Sequence, residues 1–303
     1  MSKIRCTHFY DWELVNQGLY EPVLNEFVEN GYRTLTFGTF FTKYVYGDTN
    51  NAHSFAKLLE KTGVTMPDAH GLWGGLWDLC AADTFMRKHL AAQHSICMEI
   101  LADFGVKTYT FHIGAAECME NGGRFTPEML DRARATLEAI LPAAEKSGMV
   151  VCVENSFEPA NTPAAVLSCI EPFVGSPAIG VCLDVGHANV MDAGIARKDS
   201  DVDSDWCNIH MWNRRMRDGY VPIREAIRML APHIVTCHVH DNNGISDQHR
   251  CPGLGVCDFD AVFEELAKCP RLQSIQDETV FSWCGVSIGH ACRVFDGLMA
   301  KLG

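Results

Sequence analysis

The chain has 303 residues, 47% of them hydrophobic and 21% charged, with a formal net charge of −13 and a pI near 5.4. That length suits one α/β barrel or two average domains, and the composition is that of a globular protein able to bury a sizeable core. The acidic balance argues against a surface that grips nucleic-acid phosphates or anionic membranes, and no run of about 18 apolar residues offers a membrane span.

Eight short apolar segments rich in β-branched residues recur along the chain, mostly separated by patterns of helical period. Ile4–Thr7 is the first predicted strand and leads to a helix over Leu14–Asn30. Arg33–Phe37 precedes a helix over Ala52–Lys61, and Val64–Pro67 precedes one over Ala82–Phe104. Lys107–Phe111 is followed by Pro127–Ser147, Met149–Val153 by Ala164–Phe173, and Ile179–Leu183 by Val221–Leu230. Ile234–Cys237 leads to Phe259–Ala267, and Ser274–Gln276 to a closing helix over Ser287–Leu302. Gly31, Gly63, Gly105 and Gly148 directly follow helices, where a left-handed residue ends the last turn. Asp83, Thr126 and Asp258 stand at helix starts as capping residues, Thr126 with Pro127 behind it.

Strands alternating with helices predict parallel pairing through right-handed crossovers, and eight such units close into a (β/α)8 TIM barrel. An open doubly wound sheet is the competing architecture, but no G-x-G-x-x-G turn follows the first strand. Residues 1–303 are expected to form a single domain, with an insertion at about 188–220 after strand six that carries Arg214, Arg215 and Arg217. Such a loop is either a lid over the catalytic face or a tolerated excursion. The fourteen cysteines contain no C-x-x-C pair, and Cys152, Cys182 and Cys237 lie in apolar runs, which predicts reduced core thiols. The first residues carry no apolar leader, so a cytoplasmic protein is expected.

Polar residues gather where barrel enzymes keep their chemistry, at the C-terminal strand ends. Strand three runs into Asp68-Ala69-His70, strand four into His112 and strand five into Glu154-Asn155. Strand six meets Asp184-Val185-Gly186-His187, strand seven His238-Val239-His240-Asp241-Asn242 and then Asp247-Gln248-His249, and strand eight Asp277-Glu278. Burying a carboxylate after an apolar run is costly without compensation. On neighbouring strands five to eight, Glu154, Asp184 and Glu278 converge with His238, and a divalent cation relieves the repulsion among them. Carboxylates with one imidazole suit Mn²⁺, Zn²⁺, Co²⁺ or Mg²⁺, and the lack of thiolates argues against a closed structural zinc.

These stretches, with Pro252-Gly253-Leu254-Gly255, resemble the xylose isomerase-like TIM-barrel superfamily in strand order over essentially the whole chain. That superfamily includes sugar-phosphate isomerases and epimerases, ketose 3-epimerases and endonuclease IV. Resemblance to the ketose 3-epimerases implies one metal ion on Glu154, Asp184, His238 and Glu278, with Glu154 and Glu278 also the catalytic acid and base. It makes His187 a contact to a substrate oxygen and prefers His238 to His240, because the family histidine lies three residues before an acidic residue, here Asp241. The chain departs from that group where Glu158 is offset and Gly244 stands in place of an arginine. Resemblance to endonuclease IV implies zinc on His70, His112, Glu154, Asp184, His187, His238, Asp247, His249 and Glu278. The segments around His70 and His112 depart from that pattern.

The expected function is a metal-dependent isomerase or epimerase of a small sugar, sugar phosphate or polyol-derived ketone, working by proton transfer through a metal-stabilised enediolate. Substrate contacts are expected from His70, Trp73, His112, His187, Asp247 and His249. Phe9, Phe37, Trp77, Phe157 and Trp283 either wall the sugar or fill core beneath the loops. One divalent ion is expected, a second is open, and so is self-association. The rival reading is a metal-dependent phosphodiesterase on abasic DNA, which needs a basic rim; outside the insertion the strand-end loops offer only Lys43, Arg124 and Arg250. A non-catalytic sugar-binding barrel is the third reading, disfavoured because both candidate acid–base glutamates are present.

Overall fold

In the computed structural model, residues 4–74, 77–114, 124–192 and 221–303 are described. Eight parallel strands, β1 (Arg5–His8), β2 (Thr34–Phe37), β3 (Thr65–His70), β4 (Thr108–Phe111), β5 (Val150–Glu154), β6 (Ile179–Asp184), β7 (Ile234–Val239) and β8 (Ser274–Asp277), close in sequence order into one barrel. β1 pairs with β8 over its full length, Arg5 against Ser274 through His8 against Asp277. Every residue of β6 and β7 is buried, because a barrel strand has side chains on one face and helices on the other.

The helices end where the local chemistry says they must. Thr126 accepts from the backbone N–H of Met129, Asp83 from that of Met86 and Asp258 from that of Ala261. Gly63 and Gly148 take φ of +67° and +64°, the left-handed conformation that stops a helix without a Cβ clash. The long helix Pro127–Ser147 has the bounds its sequence predicts. Leu14–Asn30 is instead two short 3-10 turns and a helix over Tyr20–Glu29. An additional helix, Thr39–Gly47, follows β2.

β3 continues three residues past its expected end at Pro67, because Asp68 belongs to the barrel interior. The Asp68 carboxylate is fully buried and accepts from Thr108 Oγ1 at 2.6 Å, Arg5 Nη2 at 3.1 Å, Thr7 Oγ1 at 3.2 Å and Ser274 Oγ at 3.2 Å. Those four donors from three strands repay its desolvation. The described cysteines are all free and buried or half-buried, as the sequence predicts. Among the described residues no helix is long and apolar enough to cross a membrane. Of the expected insertion at 188–220, residues 193–220, with Arg214, Arg215 and Arg217, lie outside the described residues.

Candidate metal centre

Strand register sets the site. Asp184 ends β6 directly beside His238 on β7, Glu154 ends β5 beside Cys182, and Glu278 is the first residue past β8. Donor atoms of Glu154, Asp184, His238 and Glu278 all lie within 4.8 Å of one another. His238 Nδ1 is the hub, 3.0 Å from both Glu154 Oε1 and Glu278 Oε1 and 3.8 Å from Asp184 Oδ2. Asn155 clamps the neighbouring backbone, its amide donating to the Asp184 carbonyl and accepting the Asp184 N–H. That residue was legible only as part of a motif, and its positioning role was not.

The set fits a cation on its own atoms. Glu154 Oε2, Asp184 Oδ2 and His238 Nε2 are buried without a hydrogen-bond partner, and unsatisfied buried polar atoms call for an explanation. Burial opposes charge on Glu154, but His238 and His112 hold its carboxyl well below the usual carboxylate range. Burial likewise opposes Glu278, whose carboxyl His238 pulls down to about 2. Burial works against a charged His238, and the facing Glu278 and Glu154 nonetheless lift it well above an ordinary imidazole. Protons on imidazoles thus balance this negative field, and a divalent cation does the same when it displaces them. Cys182 is also near His238, but burial pushes its thiol up to about 12, so it brings no thiolate.

The remaining predicted site residues fall on two sides of this group. His112 Nε2 and His70 Nε2 approach Glu154 Oε2 at 3.2 and 3.4 Å, and Trp73, 55% exposed, lies with its ring centroid 6.0 Å from that of His112. On the other side His187, His240, Asp247 and His249 form a second cluster within 4.8 Å. Asp247 Oδ2 is 3.1 Å from His249 Nε2 and 3.3 Å from His187 Nε2. His240, set aside in favour of His238 by the sequence pattern, is inside as well, because alternate residues of a strand share a face.

The aromatic residues divide. Phe37 is core, packed on Phe41, Phe55 and Phe104. Trp77 donates to Gln93 and lies under Lys43. Phe157 meets His187 edge-on at 5.4 Å and Trp283 meets His249 edge-on at 6.1 Å, so these two stay near the site.

A family profile described as a xylose isomerase-like TIM barrel matches residues 24–270. Over 146 residues the chain is 27% identical to an uncharacterized protein of Methanocaldococcus jannaschii; the match covers 47% of this chain and 41% of that protein, less than half the length of the relative. A solved D-tagatose 3-epimerase-like protein superposes with a TM-score of 0.71 at 18% identity, covering 98% of this chain and 96% of that one. An L-ribulose 3-epimerase gives 0.68 at 17% identity, covering 97% and 94%. An IolI protein with a binding zinc atom gives 0.67 at 13% identity, covering 98% and 97%. At these identities the likeness is one of fold.

Proposed function

The chain belongs to the xylose isomerase-like TIM-barrel family, and on that footing we propose that it is a metal-dependent isomerase or epimerase of a small sugar, sugar phosphate or polyol-derived ketone. The observation that carries this reading is the buried quartet Glu154, Asp184, His238 and Glu278 at the C-terminal ends of consecutive strands, with unpartnered atoms on three of them. These four residues hold the ion, and the epimerase relatives of the same fold supply the reaction class. A divalent ion bound there supplies the positive charge that makes a proton beside a carbonyl easier to remove.

The rest of the chemistry belongs to side chains. Glu154 reaches in from β5 and Glu278 from the end of β8, so the two carboxylates approach a substrate from different sides. One takes the carbon-bound proton and the other returns it; return to the opposite face epimerises, and return to the adjacent carbon isomerises. His70 and His112 present Nε2 toward the same space and orient hydroxyls, while Trp73 covers an apolar face of the sugar.

One observation favours the rival phosphodiesterase: the donors fall into three groups, His70–His112–Glu154, the quartet, and the cluster around Asp247. Against it, the described strand ends carry few basic residues, and of Lys43, Arg124 and Arg250 the first lies over Trp77 and the last donates to the Leu254 carbonyl. The test is incubation in D2O with ketoses and their phosphates, read by NMR, beside a nicking assay on abasic duplex. Metal-dependent deuterium entry without nicking is expected. Metal-dependent nicking without exchange overturns the assignment.

A further inference from the structure

We propose that His8 and Asp277 are positioning residues for Glu278, a buried pair that fixes the exit of β8 so that this carboxylate stays at the centre; the inference rests on the reading of Glu278 as ligand and acid–base group. His8 ends β1 and Asp277 ends β8, and the two stand directly opposite each other where the first and last strands close the barrel. Both side chains are fully buried, and His8 Nδ1 lies 2.7 Å from Asp277 Oδ2. A carboxylate only accepts, which places the imidazole proton on Nδ1. Successive residues of a strand point to opposite faces, so Asp277 turns to the helices and Glu278 to the barrel mouth.

Of the four donors, Glu278 is the least enclosed. Its side chain is 15% exposed, against 1% for Glu154 and none for Asp184 and His238. The other three are walled in by their neighbours, and Glu278 has to be held from behind. The Asp277 carboxylate does this by reaching across it: Oδ2 meets His8, and Oδ1 accepts the Thr279 N–H at 2.8 Å. The backbone between is tied as well. Glu278 N–H donates to the Val239 carbonyl at 3.1 Å, Phe9 N–H donates to the Asp277 carbonyl at 3.0 Å, and the Glu278 carbonyl accepts from His249 Nδ1 at 3.0 Å.

The anchor of this arrangement is itself rigid. The His8 ring meets Tyr32 edge-on at 4.2 Å and has Phe295 at 5.4 Å and Phe27 at 5.6 Å. Phe27 belongs to the helix Tyr20–Glu29 and Phe295 to the helix Ile288–Met299, so both helices wedge the imidazole in place. Stability alone does not account for a polar pair here. Apolar side chains of similar volume stabilise a buried position as well or better, but they set no direction, whereas a hydrogen bond to a carboxylate does. A direction is what the next residue along the chain requires if its carboxylate is to face His238.

The experiment replaces the pair with His8→Leu/Asp277→Leu, which leaves no buried charge. It reads Co²⁺ affinity of chelator-stripped protein by calorimetry and peptide-resolved amide exchange of the metal-free protein. Asp277→Asn, whose side chain still accepts from Thr279 and bonds to His8, is the conservative control, and Glu278→Gln is the reference. In the leucine variant Co²⁺ affinity should fall on the order of tenfold, with faster exchange confined to residues 277–280, and Asp277→Asn should stay near wild type. Where the leucine pair does not fold, Asp277→Ala should give the same result. Wild-type affinity in the leucine variant beside an impaired Glu278→Gln overturns the proposal. So does exchange that quickens equally at the ends of β5 and β6, the mark of general loosening, and so does an impaired Asp277→Asn. If Glu278→Gln binds Co²⁺ as wild type does, it is the quartet that fails, and the exchange pattern alone then upholds or overturns the hold on Glu278.

Discussion

Glu154 is where the quartet and the flanking histidines meet, so Glu154→Gln is the most informative single change. Its Oε1 lies 3.0 Å from His238 Nδ1 and 3.6 Å from His187 Nδ1, and its Oε2 lies 3.2 Å from His112 and 3.4 Å from His70. Glutamine keeps the shape and removes the charge. An ion held at about a hundredfold excess over its Kd stabilises the wild type by about 2.7 kcal/mol. At about 2.1 cal/mol/K per residue, 303 residues unfold with an entropy of about 0.6 kcal/mol/K, so the midpoint rises by about 4 °C. A loss of affinity on the order of 100-fold leaves the variant about 0.4 kcal/mol, a rise under about 1 °C at the same free metal. Differential scanning calorimetry in metal-buffered solution reads both rises; equal rises in wild type and variant would refute the assignment of Glu154 as a ligand.

Two further outcomes follow from the same geometry. His112→Ala should keep the metal content and the thermal midpoint while kcat/KM falls on the order of tenfold or more, since His112 stands at the mouth and not in the barrel wall; a collapsed midpoint would make the residue structural. His94 is fully buried with Nδ1 3.0 Å from Tyr109 Oη, and burial lowers its pKa to about 4. Because the folded value lies below the unfolded one near 6.5, its contribution is complete above pH 6.5 and is lost as pH falls toward 4, a total of roughly 3 kcal/mol. Urea unfolding of wild type and His94→Gln from pH 7 to 4 should show a shallower acid loss in the variant, and parallel losses would remove His94 as the cause.

The strands were legible because barrel strands are buried on both faces and read as apolar runs, and the cap residues fixed several helix ends to within a residue or two. The sequence reading failed where long-range partners decide. Pro67 and Asp68 look like the end of a strand, yet Asp68 is interior because its donors come from Thr7, Thr108 and Ser274, 61, 40 and 206 residues away. The helix Thr39–Gly47 was hidden by its aromatic and β-branched content, Phe40, Phe41, Tyr44, Val45 and Tyr46, which reads as strand in isolation and is helical because Phe41 and Val45 pack into the core.

The site divides along the same line. Glu154, Asp184 and His238 stand out because each follows a largely apolar run at a strand end, a local signal, whereas Glu278 stands out by its place after the last predicted strand. His240 gives no such signal, since a rule based on spacing to the next acidic residue selects one histidine and discards the other. Strand alternation selects neither: β7 and its continuation send Thr236, His238 and His240 to one face, and whether a second imidazole fits there depends on the absence of a side chain at residue 186, in the short helix Val185–Val190 that follows β6. Gly186 reads in sequence as a loop residue of no particular consequence. Its meaning appears only when β6 and β7 lie side by side with Asp184 against His238, which puts the glycine under the His240 ring and leaves the buried Nε2 facing Asp184 and Asp247. Whether His240 fits beside Asp184 is therefore set by a packing relation between β7 and the helix that follows β6 and not by any motif that one strand carries.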